Sequence, residues 1–159
     1  MLDQFDLAIL SRLLVDGRAT QAELGEAARL SGPAAGRRQR LLEESGFIRG
    51  YGAQLDFQRL GHGTLVMVLI QLDRQSQDAL DAFEAAVARC PSVTSCHLLS
   101  GSEDYLVTLR ARDLADFARI HREELAELPS VARMHSLFSL REVVSRPAPP
   151  ALLAPAGKG

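Results

Sequence analysis

The sequence predicts an α+β protein of two domains: an N-terminal three-helix, winged helix-turn-helix unit and a C-terminal ferredoxin-like βαββαβ unit. Three observations carry this reading. Helical periodicity with capping signals occupies residues 3–46, a strand pattern apolar on both faces opens at Leu65, and a helix ending in Pro-Ser-Val then occurs twice. The expected divisions are residues 1–50 for the helix-turn-helix and 51–63 for a strand and hinge. Residues 64–145 are expected to form the ferredoxin-like unit, and 146–159 a flexible tail.

Asp3 is the expected N-cap of a first helix in which Leu7, Leu10 and Leu14 recur on one face, with Ile9 and Leu13 beside them. Asp16-Gly17 ends it. Thr20 has Glu23 three residues later, the reciprocal capping box, and Leu24, Ala27 and Ala28 follow as a small apolar face. Residues 29–33 (RLSGP) break this helix and start another, with Ser31 or Gly32 as N-cap and Pro33 in the first turn. The third helix carries Arg37, Arg38 and Arg40, and Gly46 stops it. Helix, turn and basic helix have the size and donors to enter a DNA major groove. A helical hairpin with a solvated basic face fits the same residues.

Residues 47–55 (FIRGYGAQL) read as a strand, and the glycine-punctuated 56–63 as a hinge. In residues 65–72, Val66, Val68, Ile70 and Leu72 point one way while Leu65, Met67 and Leu69 point the other. Such a strand needs cover on both sides. Helices of its own domain supply one side, and a second subunit is the economical source of the other. A helix over about 76–89, with Leu80, Phe83 and Val87 on one stripe, ends in CPSVTSCH; another over about 113–127, with Leu114, Phe117 and Ile120, ends in LPSVARMH. Between them Tyr105, Val107 and Leu109 alternate as a strand, and the closing strand runs to about Val144. The order is β-α-β-β-α-β, with both helices on one face of an antiparallel sheet.

Net charge is −2, so any attraction to nucleic acid is local to one face. Of 18 basic residues only Lys158 is a lysine; guanidinium groups, the better bidentate donors, would make any phosphate or guanine contact. The start, MLDQFDLAIL, lacks a basic n-region, and no apolar run is long enough to span a bilayer, so a cytoplasmic protein with reduced Cys90 and Cys96 is expected. His97 and His135 fall at matching places in the repeat, but no further ligands stand at metal spacing, so packed or partly exposed imidazoles are expected and no metal. With no nucleophile–base pair and no phosphate-cradling loop, no catalytic residue and no cofactor are assigned.

With LDQFDLAIL at the start, Leu30-Ser31 ahead of Arg37-Arg38 and LEESGFIRGY, GSEDYLV from Gly101, and LPSV before the closing strand, the chain resembles the Lrp/AsnC (feast/famine) family of transcription regulators over about residues 2–144. The resemblance implies a sequence-specific reader of double-stranded DNA whose activity a small effector, usually an amino acid, modulates. It implies dimers through the sheet, here through Leu65, Met67 and Leu69, that assemble further, commonly to octamers, with the effector between dimers. DNA contacts then fall to Ser31, Pro33, Ala34, Arg37, Arg38 and Arg40, and effector contacts to Ser100, Gly101, Ser102, Asp104, Tyr105 and Ser136.

Several of these residues have two readings. Arg38 either contacts DNA or pairs with a carboxylate such as Glu43 or Asp6. Ser31 caps a helix and can also meet a phosphate. Asp104 either caps its turn or accepts an effector ammonium. The chain departs from the family pattern with Arg29 in place of a glycine, Ala35 in place of a β-branched residue, Gln39 in place of an aliphatic one, and Met134 in place of a hydroxyl residue. Gly36 weakens the third helix further, so Leu41 and Leu42 are expected to take over its packing. Sirohaem decarboxylases share this architecture and supply an enzyme alternative, as does an effector-binding protein that no longer binds DNA. No tryptophan is present, and the regulator-type turn at Gly101 is.

Overall fold

The computed structural model describes residues 2–153. The described residues form two compact units, one from 2–54 together with 143–153, the other from 55–142. The backbone therefore passes between the units twice.

The first unit contains α1 (Gln4–Val15), α2 (Gln21–Ala28) and α3 (Gly32–Glu44). Asp3 caps α1 by accepting from the N–H groups of Phe5 and Asp6, and Asp6 reaches back to the Asp3 N–H at 3.0 Å. Its core is Ile9, Leu24, Ala28, Ala35 and Leu42, with Phe5, Leu10, Leu13, Leu30 and Ile48 packed around them. Ile9, not the expected Leu7–Leu10–Leu14 stripe, is the centre of the α1 contact; Leu14 is exposed. Leu42 takes over α3 packing as expected, while Leu41 does not and stands 62% exposed.

No strand forms over residues 47–55. A strand needs a partner backbone, and this segment, exposed except at Ile48, pairs with none; Ile48 N–H donates instead to the Leu42 carbonyl at 3.0 Å. Tyr51 folds back on α3, its hydroxyl donating to Glu43 at 2.7 Å and accepting from Gln39 at 2.9 Å. Within the stretch expected as a tail, residues 150–153 make one turn of 3-10 helix against α1, where consecutive prolines preset the turn dihedrals. Residues 154–159 of that expectation lie outside the described residues.

The second unit is a four-stranded antiparallel sheet in the order β2-β3-β1-β4, from β1 (Thr64–Leu72), β2 (Val93–Leu98), β3 (Tyr105–Ala111) and β4 (Val131–Phe138). Helix α4 (Gln77–Val87) joins β1 to β2, and α5 (Leu114–Ile120) joins β3 to β4, which is the βαββαβ order. Val66, Val68 and Ile70 pair across to Leu109, Val107 and Tyr105, and all six are fully buried with Phe83, Val87, Phe117 and Ile120 of the helices. Leu65, Met67 and Leu69 are half-buried on the opposite face, opposite Arg110, Thr108 and Leu106.

Two expectations here need correction. The second helix does not run to residue 127: α5 stops at Ile120 and a π-helical turn, His121–Leu125, follows, with Ala126 N–H donating to the His121 carbonyl at 2.8 Å. The wider turn leaves Leu125 fully buried and sets the Glu124 carboxylate on the Ser92 N–H at 3.1 Å and the Ser92 hydroxyl at 2.6 Å. Leu114, expected on the buried stripe, is 68% exposed. The closing strand ends at Phe138 rather than Val144, because β1 begins at Thr64. One last bond, Ser139 N–H to Leu65 carbonyl at 2.9 Å, uses up the partner backbone.

Candidate DNA-reading and effector-sensing sites

The reading element is built by local chemistry. The Thr20 N–H donates to Glu23 at 2.7 Å and the Glu23 N–H donates back to the Thr20 hydroxyl at 3.3 Å, which holds the Glu23 carboxyl below its usual range. Helix α2 ends at Arg29 in the left-handed conformation, φ 54°, the position at which a glycine was missed in the sequence. Gly25 lets the following chain close over α2: a Cβ there would stand 2.7 Å from the Leu30 carbonyl oxygen. Ser31 then caps α3 by accepting from Ala34 N–H at 3.4 Å, with Pro33 in the first turn. Gly36 faces the end of the Gln21 side chain, which a Cβ would meet at 2.6 Å, so the glycine that weakens α3 also lets it lie close to α2.

Three arginines of α3 have different surroundings. Arg38 donates to Asp3 at 2.7 Å and Asp6 at 2.8 Å, and its guanidinium lies 5.2 Å from the centre of the Phe5 ring. The pairing, with Asp6 first, raises the Arg38 pKa; the Asp6 N–H and then Arg38 lower that of Asp3. Arg38 thus makes a carboxylate pairing, with Asp3 and Asp6 and not with Glu43. Arg37 and Arg40 are exposed and have no ion-pair partner among the described residues. Ser31 and Pro33 are exposed as well, and Ala34 is half-buried. Leu41, which sequence reasoning assigned to the core, is exposed next to Arg40; only the rotation of α3 set by Ala35 and Leu42 reveals it. Residues 1–54 hold seven arginines and seven carboxylates, so attraction to an anion rests on where the charges stand and not on their sum.

The other candidate site is the β2–β3 turn. Ser100, Gly101 and Ser102 are exposed, and Gly101 has φ 155°, a conformation that calls for glycine without any neighbour pressing on it. Asp104 is only 6% exposed and its carboxylate is fully engaged: it accepts from the Leu72 N–H at 2.7 Å and the Gln75 amide at 2.6 Å. It fastens the end of β1 and the loop after it to the turn. Tyr105 is buried against Phe83, ring centres 4.4 Å apart, and donates its hydroxyl to Glu84 at 2.7 Å. Desolvation, then that hydrogen bond, pushes its pKa up. The structure thus brings residues 100–105 together. Ser136 is not with them: it pairs with Val68 on β4, two strands from β3 and two residues beyond the Tyr105–Ile70–Met134 level. Met134 packs against the sheet-domain core. His97 and His135 are both exposed.

A helix-turn-helix with two uncommitted arginines on its second helix, carried with a ferredoxin-like sheet domain, defines a two-domain DNA-binding regulator. Residues 2–49 match the model of a winged helix-turn-helix DNA-binding domain, and residues 65–149 that of the Lrp/AsnC ligand binding domain. The chain is 38% identical over 149 residues to the Bkd operon transcriptional regulator of Pseudomonas aeruginosa, covering 94% of this chain and 97% of that one. It is 37% identical over 142 residues to the leucine-responsive regulatory protein of Escherichia coli K12, covering 89% and 87%. Among solved structures, the Neisseria meningitidis transcriptional regulator NMB0573 in complex with L-methionine superposes with a TM-score of 0.89 at 32% identity, covering 94% and 97%. The chain belongs to the Lrp/AsnC family of transcription regulators. Among the described residues no helix is long and apolar enough to cross a membrane.

Proposed function

We propose that this chain acts in the cytoplasm, reads duplex DNA with the outer face of α3, and has that reading adjusted by an amino acid bound in its sheet domain. The observation that carries the proposal is the division of labour on α3. Arg38 is committed to Asp3 and Asp6 and orients the helix, which leaves Arg37 and Arg40 as free guanidinium groups for base edges or phosphates. Exposed Leu41 beside them fits a thymine methyl, and Ser31 at the α3 N-terminus fits a phosphate without giving up its cap. Pro33 and Ala34 flank the backbone at that end and shape its approach.

The amino-acid reading is supported by the methionine complex of the Neisseria relative and by the exposed hydroxyls and N–H groups of residues 100–102, donors suited to a carboxylate. Asp104 and Tyr105 act here as positioning residues that hold the turn. Ser136 joins such a site only from a second copy of the chain. A dimer through Leu65, Met67 and Leu69 covers the half-buried face of β1, and assembly of dimers, to an octamer or another ring, then creates the shared effector site. All of the relatives reported above are named as regulators, and regulation without catalysis is the role proposed.

The test is electrophoretic retardation of a duplex selected by the parent protein from random sequence, with and without each amino acid. The Arg37→Ala, Arg40→Ala double variant is expected to fold as the parent does and to lose about tenfold or more in affinity, since each base-reading arginine is worth about 1–3 kcal/mol. One or more amino acids should shift the parent's binding curve. A folded double variant that binds as the parent does would refute the α3 assignment.

A further inference from the structure

On the helix-facing side of the sheet, between α4 and the edge strand β2, lies an open groove of about 470 Å3. This falls in the range of small-molecule sites, about 300–1,000 Å3. Val87, Val93 and Leu98 give it apolar walls, and Glu84 is the only lining residue with a formal charge. One oxygen of that carboxylate is fixed by the Tyr105 hydroxyl at 2.7 Å, and the Tyr105 ring is itself locked on Phe83. Glu84 is exposed, and its other oxygen has no hydrogen-bond partner among the described residues and meets solvent.

The remaining side chains of the groove bring no positive charge to an anion. Cys96 is pushed up to about 11, by burial first and by Glu84 second, and Cys90 is raised by burial, so both thiols are neutral at pH 7. The Thr94 hydroxyl is spent on the Thr108 carbonyl at 3.0 Å, and Ser95 on the Thr108 hydroxyl. Among the described residues no cationic side chain lines the site; the nearest influence is Arg89, whose charge is felt at Cys90 but which is not part of the lining. A carboxylate entering it would meet Glu84 with no compensating charge, whereas an ammonium would find a fixed acceptor with apolar surface beside it.

We propose that this groove binds a small aliphatic primary amine, its ammonium on Glu84 and its alkyl chain against Val87, Val93 and Leu98. The site selects the amine over the corresponding α-amino acid, because the amino acid brings a carboxylate that nothing in the groove can pair. The groove shares Tyr105 with the turn site, but its ligand meets Glu84 and not residues 100–102, so the amine proposal is tested apart from the amino-acid reading.

Isothermal titration calorimetry of the full-length protein with 3-methylbutylamine, 3-methylbutanol and leucine tests this. The amine is expected to bind at millimolar or lower concentration, with the alcohol weaker by up to about fivefold. Leucine should not compete with the amine. Glu84→Gln should weaken the amine measurably, by up to about fivefold, while Asp81→Asn, on the same helix but outside the groove, should leave it unchanged. Ala88→Phe fills the exposed lining without removing charge and should abolish binding. The proposal is overturned if the amine does not bind, if alcohol and amine bind alike, if leucine displaces the amine, or if Glu84→Gln or Ala88→Phe binds as the parent does.

Discussion

The two units hold together by different means. In the sheet unit, fourteen buried side chains form one continuous core, from Val66 to Leu128. The helical unit buries only five apolar residues in its core, two of them alanines, and is held by tight backbone approaches and polar fastenings. These are the Asp3 and Thr20 capping boxes, the Arg38 pair with Asp3 and Asp6, and the Arg12 contact with Glu23 at 3.2 Å. A reading helix has to keep one face outside any core, so the unit that carries it has less apolar surface to bury. Fastening by caps and close approach places the helix accurately with little burial.

The largest effect that tests this contrast is Phe83→Ala. Phe83 of α4 is fully buried against the sheet, its ring on that of Tyr105, and its loss should cost about 3–5 kcal/mol. Region-resolved hydrogen exchange should show lost protection in β1, β3 and α4 with α1–α3 unchanged. Equal loss in both units would mean that they unfold as one. Next in size is Gly25→Ala, where the new methyl would strike the backbone at Leu30, an overpacking that typically costs about 1–3 kcal/mol. The matching Gly36→Ala meets only the movable end of Gln21 and gains helix propensity, so it should be no worse than neutral. If denaturation midpoints show both glycine variants equally damaged, close backbone approach is not what sets the helical unit apart. The smallest expected change is a gain: Arg29→Gly relieves the left-handed cap and should raise the stability of α1–α3 by about 1 kcal/mol. An unchanged midpoint would show that Arg29 adopts that conformation without strain.

What could be read in the sequence followed the same division. The caps at Asp3, Thr20 and Ser31 were legible because each is settled within three residues of chain, and the two faces of residues 65–72 because alternation in a strand is strict. Features that depend on distant partners were not. Arg38 finds Asp3 and Asp6 more than thirty residues away, and Asp104 finds Leu72 and Gln75, so the choice between a structural and a ligand role needed the fold. The rotation of α3 that leaves Leu41 outside depends on where Ala35 and Leu42 meet the other two helices. The π-helical turn after α5 leaves no mark in an apolar repeat, because its reason is the Glu124–Ser92 contact across the unit. The misread strand at 47–55 has alternation enough, but alternation does not supply a neighbour to pair with.

That the chain passes twice between its units bears on how such a protein can be recombined. Because residues 143–153 join the helical unit, with the 150–153 turn against α1, two separate stretches of the chain together build that unit. A single crossover near residue 55 would graft a foreign reader onto a sheet unit that still carries its own C-terminal segment, and the new α1 would have to accept a turn it did not evolve with. Exchange of the reader as a whole needs two crossovers, so α1 and the C-terminal segment are expected to have been inherited as a matched pair.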